Sequence, residues 1–180
     1  MGRRREGREI AVQFLYQIDL QKEDIEQQLV NFWKSRSTDG PMTPAHTRDF
    51  AEKIVRGILQ HRAALDVKIA SLAKNYSLPR IATVDRNVLR LGLYELLYQP
   101  EVPPVVVIDE CLEIAKKFGS EESSRFVNGI LDKAYGELLR INASESSWAP
   151  AGEPSQQPPA SAPQEVLTRP DSLPQAIEPG

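Results

Sequence analysis

The chain predicts an all-α protein of six or seven helices followed by a disordered tail. Three observations carry this. Apolar residues recur every third or fourth position through most of residues 3–141. No segment sustains the period-two alternation of a half-buried strand. After Asn142 the composition turns to Pro, Ser, Ala and Gln with scattered acids, which cannot bury enough apolar surface to offset ordering.

The first helix is expected over residues 3–21, with a basic first turn and Ile10, Phe14 and Ile18 on one core face beside Ala11 and Leu15. A second, short helix is expected over 25–34 with Leu29, Phe32 and Trp33 inward, then a loop over 37–44. Residues 45–74 repeat the helical spacing through Phe50, Ile54, Ile58, Leu65, Ile69 and Leu72, with a break expected between Gly57 and Arg62 because glycine weakens a helix interior. Pro79 closes that run. Thr83 is the expected N-cap of the next helix, with Asp85 in its first turn. That helix carries Val84, Val88, Leu89, Leu91, Leu93, Leu96 and Leu97 around a wide arc and should be the central element.

The β-branched run at 105–108 favours a strand on propensity alone. A wider window favours a helix, because Val107, Cys111, Ile114 and Phe118 share one face. Lys116 and Lys117 suit its last turn and Gly119 its stop. Ser120 is the expected cap of the final helix, which has Glu121 and Glu122 in its first turn and Val127, Ile130, Leu131, Ala134 and Leu138 inward. Gly129 within it is expected to permit close helix packing.

Charge follows the same division. The chain holds 22 basic and 25 acidic residues, a net −3. Residues 143–180 contain Glu145, Glu153, Glu165, Asp171 and Glu178 against the single base Arg169, so residues 1–142 stand at +1. A local basic patch is therefore not swamped by its background. The lone Cys111 excludes an internal disulfide and any cysteine-based zinc site, and its place on an apolar stripe makes it a buried structural thiol. His46 and His61 neighbour no metal-ligand set, so neither a metal nor a cofactor is expected. No GxGxxG, P-loop or HExxH motif occurs, and the acids fall at helix positions expected to be solvated. No catalytic residue can be nominated. No apolar run reaches membrane-spanning length, so a cytoplasmic, non-membrane protein is expected.

What remains is chemistry for RNA. Arg3, Arg4, Arg5 and Arg8 form the densest cationic cluster, and guanidinium groups bind phosphate and stack on bases. Lys116, Lys117, Arg125 and Phe126 surround the turn between the last two helices. A base can stack on Phe126 if its ring is open, although its spacing also places it at the edge of the core arc. Tyr16 is similarly placed. Glu122 caps a helix dipole or accepts from base amino groups.

Three blocks together resemble the family of the bacterial transcription antitermination factor NusB. They are an arginine cluster leading into REIAVQFLYQIDL, then VDRNVLRLGLYELLY with PEVPPVVVIDECLEIAKKFG, then SSRFVNGILDK. The resemblance covers residues 3–141. It implies two packed helical bundles and binding to single-stranded boxA RNA of ribosomal RNA leaders, jointly with a small-subunit ribosomal protein. That pair acts with other Nus factors on the elongating RNA polymerase. The implied RNA-side positions are Arg4, Arg5, Tyr16, Lys117, Glu122, Arg125 and Phe126, and Asp85 is implied on the protein-partner side. Glu6 interrupts the arginine run, and the tail lies outside the family core. Family members are monomers or homodimers, and the sequence does not choose. Domain boundaries are expected at 1–142 for the RNA-binding domain and 143–180 for the tail. The competing readings are a ribosomal RNA processing or ribosome-assembly factor and a structural protein–protein module. An enzyme would need a downstream cofactor-binding domain like that of the related methyltransferase fusions.

Overall fold

The computed structural model describes residues 2–21, 24–39, 42–74 and 76–146. Six α-helices follow one another: α1 (Arg3–Leu20), α2 (Ile25–Asp39), α3 (Ala45–Leu72), α4 (Thr83–Tyr98), α5 (Pro104–Phe118) and α6 (Ser123–Ser146). A short 3₁₀ turn at Leu78–Arg80 joins α3 to α4, and the described residues contain no strand. One bundle is α1, α2 and α3; the other is α4, α5 and α6. α4 packs on α1, α3, α5 and α6, which makes it the central element its wide apolar arc requires. α6 runs on to Ser146, into the segment expected to be disordered from residue 143, and the rest of that segment lies outside the described residues.

Each helix buries the stripe its spacing implies. Ile10, Phe14 and Ile18 of α1 meet Ile54, Val55 and Ile58 of α3 and Val88, Leu89, Leu91 and Leu93 of α4 in one continuous core. Leu29 and Trp33 of α2 are buried, with Phe32 between the Phe14 and Trp33 rings at 5.1 and 5.4 Å. Val127, Ile130, Leu131 and Ala134 face inward on α6, whereas Leu138 is only half-buried at the edge. Cys111 is fully buried, and desolvation with the nearby Glu95 charge pushes its thiol far above the ordinary range, against the opposing pull of Arg8. It is an inert structural thiol.

Several boundaries differ from the sequence expectation for identifiable reasons. α2 starts after Asp24, whose carboxylate accepts from the Glu26 and Gln27 backbone N–H groups, an N-terminal cap. It runs on to Asp39, through the first part of the expected loop. The Ser37 and Thr38 hydroxyls donate to the carbonyls of Trp33 and Lys34, which satisfies them within the helix. α4 is preceded by Ala82 and makes no side-chain cap, so Thr83 is its first residue rather than its cap. α6 begins at Ser123, not Ser120; the Ser120 N–H donates to the Ser123 hydroxyl at 2.8 Å. Glu121 and Glu122 therefore lie in the turn before α6 rather than in its first helical turn.

Two glycines exchange roles. Gly129 has no atom near enough to meet an added Cβ, so it is not the packing glycine. Gly57 is one: α3 passes through it without a break, and the Tyr94 ring of α4 occupies the place that an added Cβ would take. Gly57→Ala is expected to lower stability by about 1–3 kcal/mol through overpacking. A urea midpoint equal to or above wild type, at unchanged slope, would show that the ring gives way freely.

The largest departure concerns acids expected at solvated positions. Asp19 has 3 % of its side chain exposed and accepts from Arg62, Arg86 and Arg90 at 2.7–3.0 Å and from Asn87 at 3.2 Å. Arg90 reaches across to Asp66 through two further hydrogen bonds. Glu95 is equally buried. Hydrophobic periodicity does not register such groups, because each becomes tolerable in the interior only through a partner distant in sequence.

Candidate nucleic-acid interface

The cationic face spans α1 and α5, which two ion pairs link. Arg5 donates Nε and Nη2 to the two oxygens of Glu110 at 2.8 and 2.9 Å. Further along both helices, Lys117 meets Glu9 at 2.6 Å. Both pairs ascend in residue number, so the two helices run in the same direction. Arg5, Glu9 and Tyr16 fall on one side of α1 at helical spacing, which extends the row beyond the end of α5.

The sequence-predicted residues meet different fates on this surface. Arg3 and Arg4 are exposed, and neither has a partner among the described residues. Arg5 is half-buried and held by Glu110, whose carboxyl lies below the usual range because of that bond and the nearby charges of Arg5 and Arg8, with burial opposing. Lys116 is exposed and engaged with Glu113 at 2.7 Å. Tyr16 is open to solvent.

Arg8 is a correction. It is 2 % exposed, and its Nε and Nη2 grip the Glu95 carboxylate through three hydrogen bonds of 2.8–3.2 Å. The ridge that carries Ala11 and Leu15 into the core carries Arg8 with it. It organises the interior under the cationic face and does not project from it. Asp85, in the first turn of α4, is 7 % exposed, and its Oδ1 has no hydrogen-bond partner among the described residues.

Arg125 and Phe126 stand at a second place, a cleft of about 210 Å3 between the end of α3 and the start of α6. Arg125 is exposed and without a partner among the described residues. Phe126 is half-buried, one side on the core and its ring 5.3 Å from Tyr76 at 70°. The open-ring and core alternatives for Phe126 are therefore both partly realised. Glu122, in the turn that leads from α5 into α6, is exposed.

Sequence reasoning missed Tyr76, Lys74 and Lys133, which line the same cleft. An aromatic ring in the polar segment after α3 was the available signal, and Tyr76 is 54 % exposed. It also missed Glu9 and Glu110 as the groups that hold Lys117 and Arg5, a pairing across more than a hundred residues that no local pattern encodes.

Chemically, the surface offers free and carboxylate-held cations beside open rings, a combination suited to a polyanion carrying unstacked bases. Among the described residues no cluster of His, Cys, Asp and Glu could hold a metal ion, and no helix is long and apolar enough to cross a membrane.

Comparison with known proteins identifies the family. The NusB family model matches residues 5–136. The transcription antitermination protein NusB of Anaeromyxobacter dehalogenans (strain 2CP-1) is 50% identical over 137 residues, covering 76% of this chain and 93% of that protein. Its counterpart in Geotalea uraniireducens is 43% identical over 139 residues, covering 74% and 94%. Among solved structures, T. maritima NusB superposes with a TM-score of 0.64 at 39% identity, covering 74% of this chain and 89% of that one. A chain from the complex of antitermination factors NusB and NusE with double-stranded RNA gives 0.65 at 27%, covering 76% and 98%. The extent of these matches, over the same helices that carry the cationic face, places the chain in the NusB family.

Proposed function

We propose that this chain is a non-catalytic, RNA-binding factor of transcription antitermination. It binds boxA-type single-stranded RNA of ribosomal RNA leaders together with a small-subunit ribosomal protein, and delivers that assembly to the elongating RNA polymerase and other Nus factors in the cytoplasm. Residues 1–142 are the RNA-binding domain in this reading, and 143–180 are an accessory tail. The observation that carries it is the α1–α5 row, where Arg3 and Arg4 stand free beside Arg5, Lys117 and Tyr16. A related NusB has been solved with NusE and double-stranded RNA. The open rings of Tyr16 and Tyr76, with the half-open ring of Phe126 beside Tyr76, favour an unpaired strand here, because only unpaired bases present faces for stacking.

Titration of labelled boxA-like RNA against a scrambled strand and a duplex of the same sequence, with and without the ribosomal protein, tests this. Sequence-selective, partner-enhanced binding of the single strand is expected. Equal binding of all three RNAs would reduce the surface to a generic polyanion site. Arg4→Ala and Arg125→Ala should each remove about 0.7 from the slope of log affinity against log salt, the signature of one lost phosphate contact on a single strand. Arg5→Ala should remove less, because phosphate must first displace Glu110 from Arg5. An unchanged slope in Arg4→Ala would exclude that side chain from the phosphate track.

A further inference from the structure

Where the first turns of α1 and α5 meet, a cleft of about 480 Å3 opens beside the cationic row. Val102, Pro103 and Val106 form one wall, while Arg4, Arg5 and Glu110 stand on the others. Its volume lies within the range of small-ligand clefts, about 300–1,000 Å3. Val106 is 44 % exposed, so apolar surface is left open next to charge.

The polar groups are not equivalent. Arg8 reaches the depth of the cleft but is neutralised by Glu95. Arg5 commits Nε and Nη2 to Glu110 and leaves Nη1 uncommitted. Each Glu110 oxygen accepts one bond from Arg5 and retains capacity for another. Arg4 stands at the rim with no partner among the described residues. The cleft thus presents an apolar wall, an immobilised pair of acceptors and one unpaired guanidinium. A bare inorganic anion would use the guanidinium but be repelled by Glu110 and gain nothing from the valines. An acyl chain would use the valines but leave the remaining acceptor capacity of Glu110 covered and unused. A nucleobase with its phosphate uses all three.

We propose that this cleft is a subsite for a single unstacked nucleobase bearing an exocyclic amino group, at one end of the bound RNA. It rests on the RNA-binding reading above. The ring lies against Val102, Pro103 and Val106. The amino group donates to Glu110, whose geometry Arg5 fixes, and the adjoining phosphate meets Arg4. Glu110 is then a specificity determinant: it accepts from the amino groups of cytosine, adenine or guanine and opposes the O4 acceptor of uracil. The strand would continue from here along α1 past Lys117 toward Tyr16, a run of about 18 Å at the helical rise per residue.

The full chain is titrated by fluorescence anisotropy with a boxA-like single strand and a series in which each position in turn is abasic or replaced by uracil. One near-terminal position should lose about tenfold in affinity when abasic, the scale of returning roughly 50 Å2 of apolar surface to water. At that position uracil should bind more weakly than the amino-bearing base. Val106→Glu, at an exposed site, should abolish the abasic penalty at that position alone. Glu110→Gln should bring the amino base and uracil to within about twofold, since an amide can both donate and accept. That variant also releases Arg5 and can raise affinity for every RNA, so the readout is the ratio between the two bases. A ratio unmoved by Glu110→Gln, or a Val106→Glu loss equal at all positions, would overturn the subsite while leaving RNA binding intact. Absence of any RNA binding by the wild-type chain would overturn the underlying reading and the subsite with it.

Discussion

Arg8→Ala is expected to destabilise the fold by about 3–5 kcal/mol, the usual consequence of removing one partner from a buried ion pair. The side chains of Arg8 and Glu95 are 3 % and 2 % exposed and share three hydrogen bonds. Without the guanidinium, the Glu95 carboxylate stays beside fully buried Cys111 with neither water nor a counter-charge. Two responses are open to it, protonation or admission of water, and both cost free energy. The double replacement Arg8→Met with Glu95→Leu should recover much of the loss, because apolar groups of similar volume remove the desolvation penalty together with the pair. Urea midpoints of the wild type and the two variants check this. A single-mutant loss below about 1 kcal/mol, typical of surface pairs, would mean that the pair is solvated in solution. Lost RNA affinity at wild-type stability would instead return Arg8 to the contact surface.

Asp19→Asn should weaken the fold at neutral pH by a similar amount, and it should also change the acid limb of the stability curve. Burial raises the Asp19 carboxyl, but the hydrogen bond from Arg86 and the charges of Arg90, Arg62 and Arg86 outweigh it and leave the group below its ordinary value of 3.8. The folded state therefore favours the anion more than the unfolded chain does. This contribution is complete above the unfolded value, near pH 4, and is lost as pH falls through the lower folded value. Wild type should lose its advantage over Asp19→Asn progressively below about pH 4. Urea unfolding of both proteins at intervals from acid to neutral pH measures this. A constant difference across the series would show that the three arginines do not stabilise the anion at Asp19.

The helices were legible because helical periodicity is a local property. Ile10, Phe14 and Ile18, or Val107, Cys111 and Ile114, announce their shared face from spacing alone, and the core contains them. Widening the window at Val105–Ile108 resolved the strand-or-helix conflict correctly for the same reason. The family was legible because three ordered blocks carry it. The end of α2 was misplaced because serine and threonine were read as loop formers, and their bonds back to Trp33 and Lys34 depend on the local conformation adopted. The break expected at Gly57 failed because the reason for that glycine is Tyr94, a residue of another helix.

The candidate surface divides in the same way. Residue type and order were sufficient to nominate Arg3, Arg4, Arg5, Lys117 and Arg125 as cations and Tyr16 and Phe126 as rings. Only the ion pairs that folding forms from α1 to α5 decided that Arg5 and Lys117 are held while Arg4 has no partner among the described residues, and only the packing of α1 on α4 decided that Arg8 is buried. Only the approach of α3 to α6 set Tyr76 beside Phe126. The sequence alone determined an all-helical chain with a basic N-terminus and its family. The tertiary structure decided which charges face water, because whether a charge is free depends on the opposite charge that folding brings within hydrogen-bond reach, often from a hundred residues away.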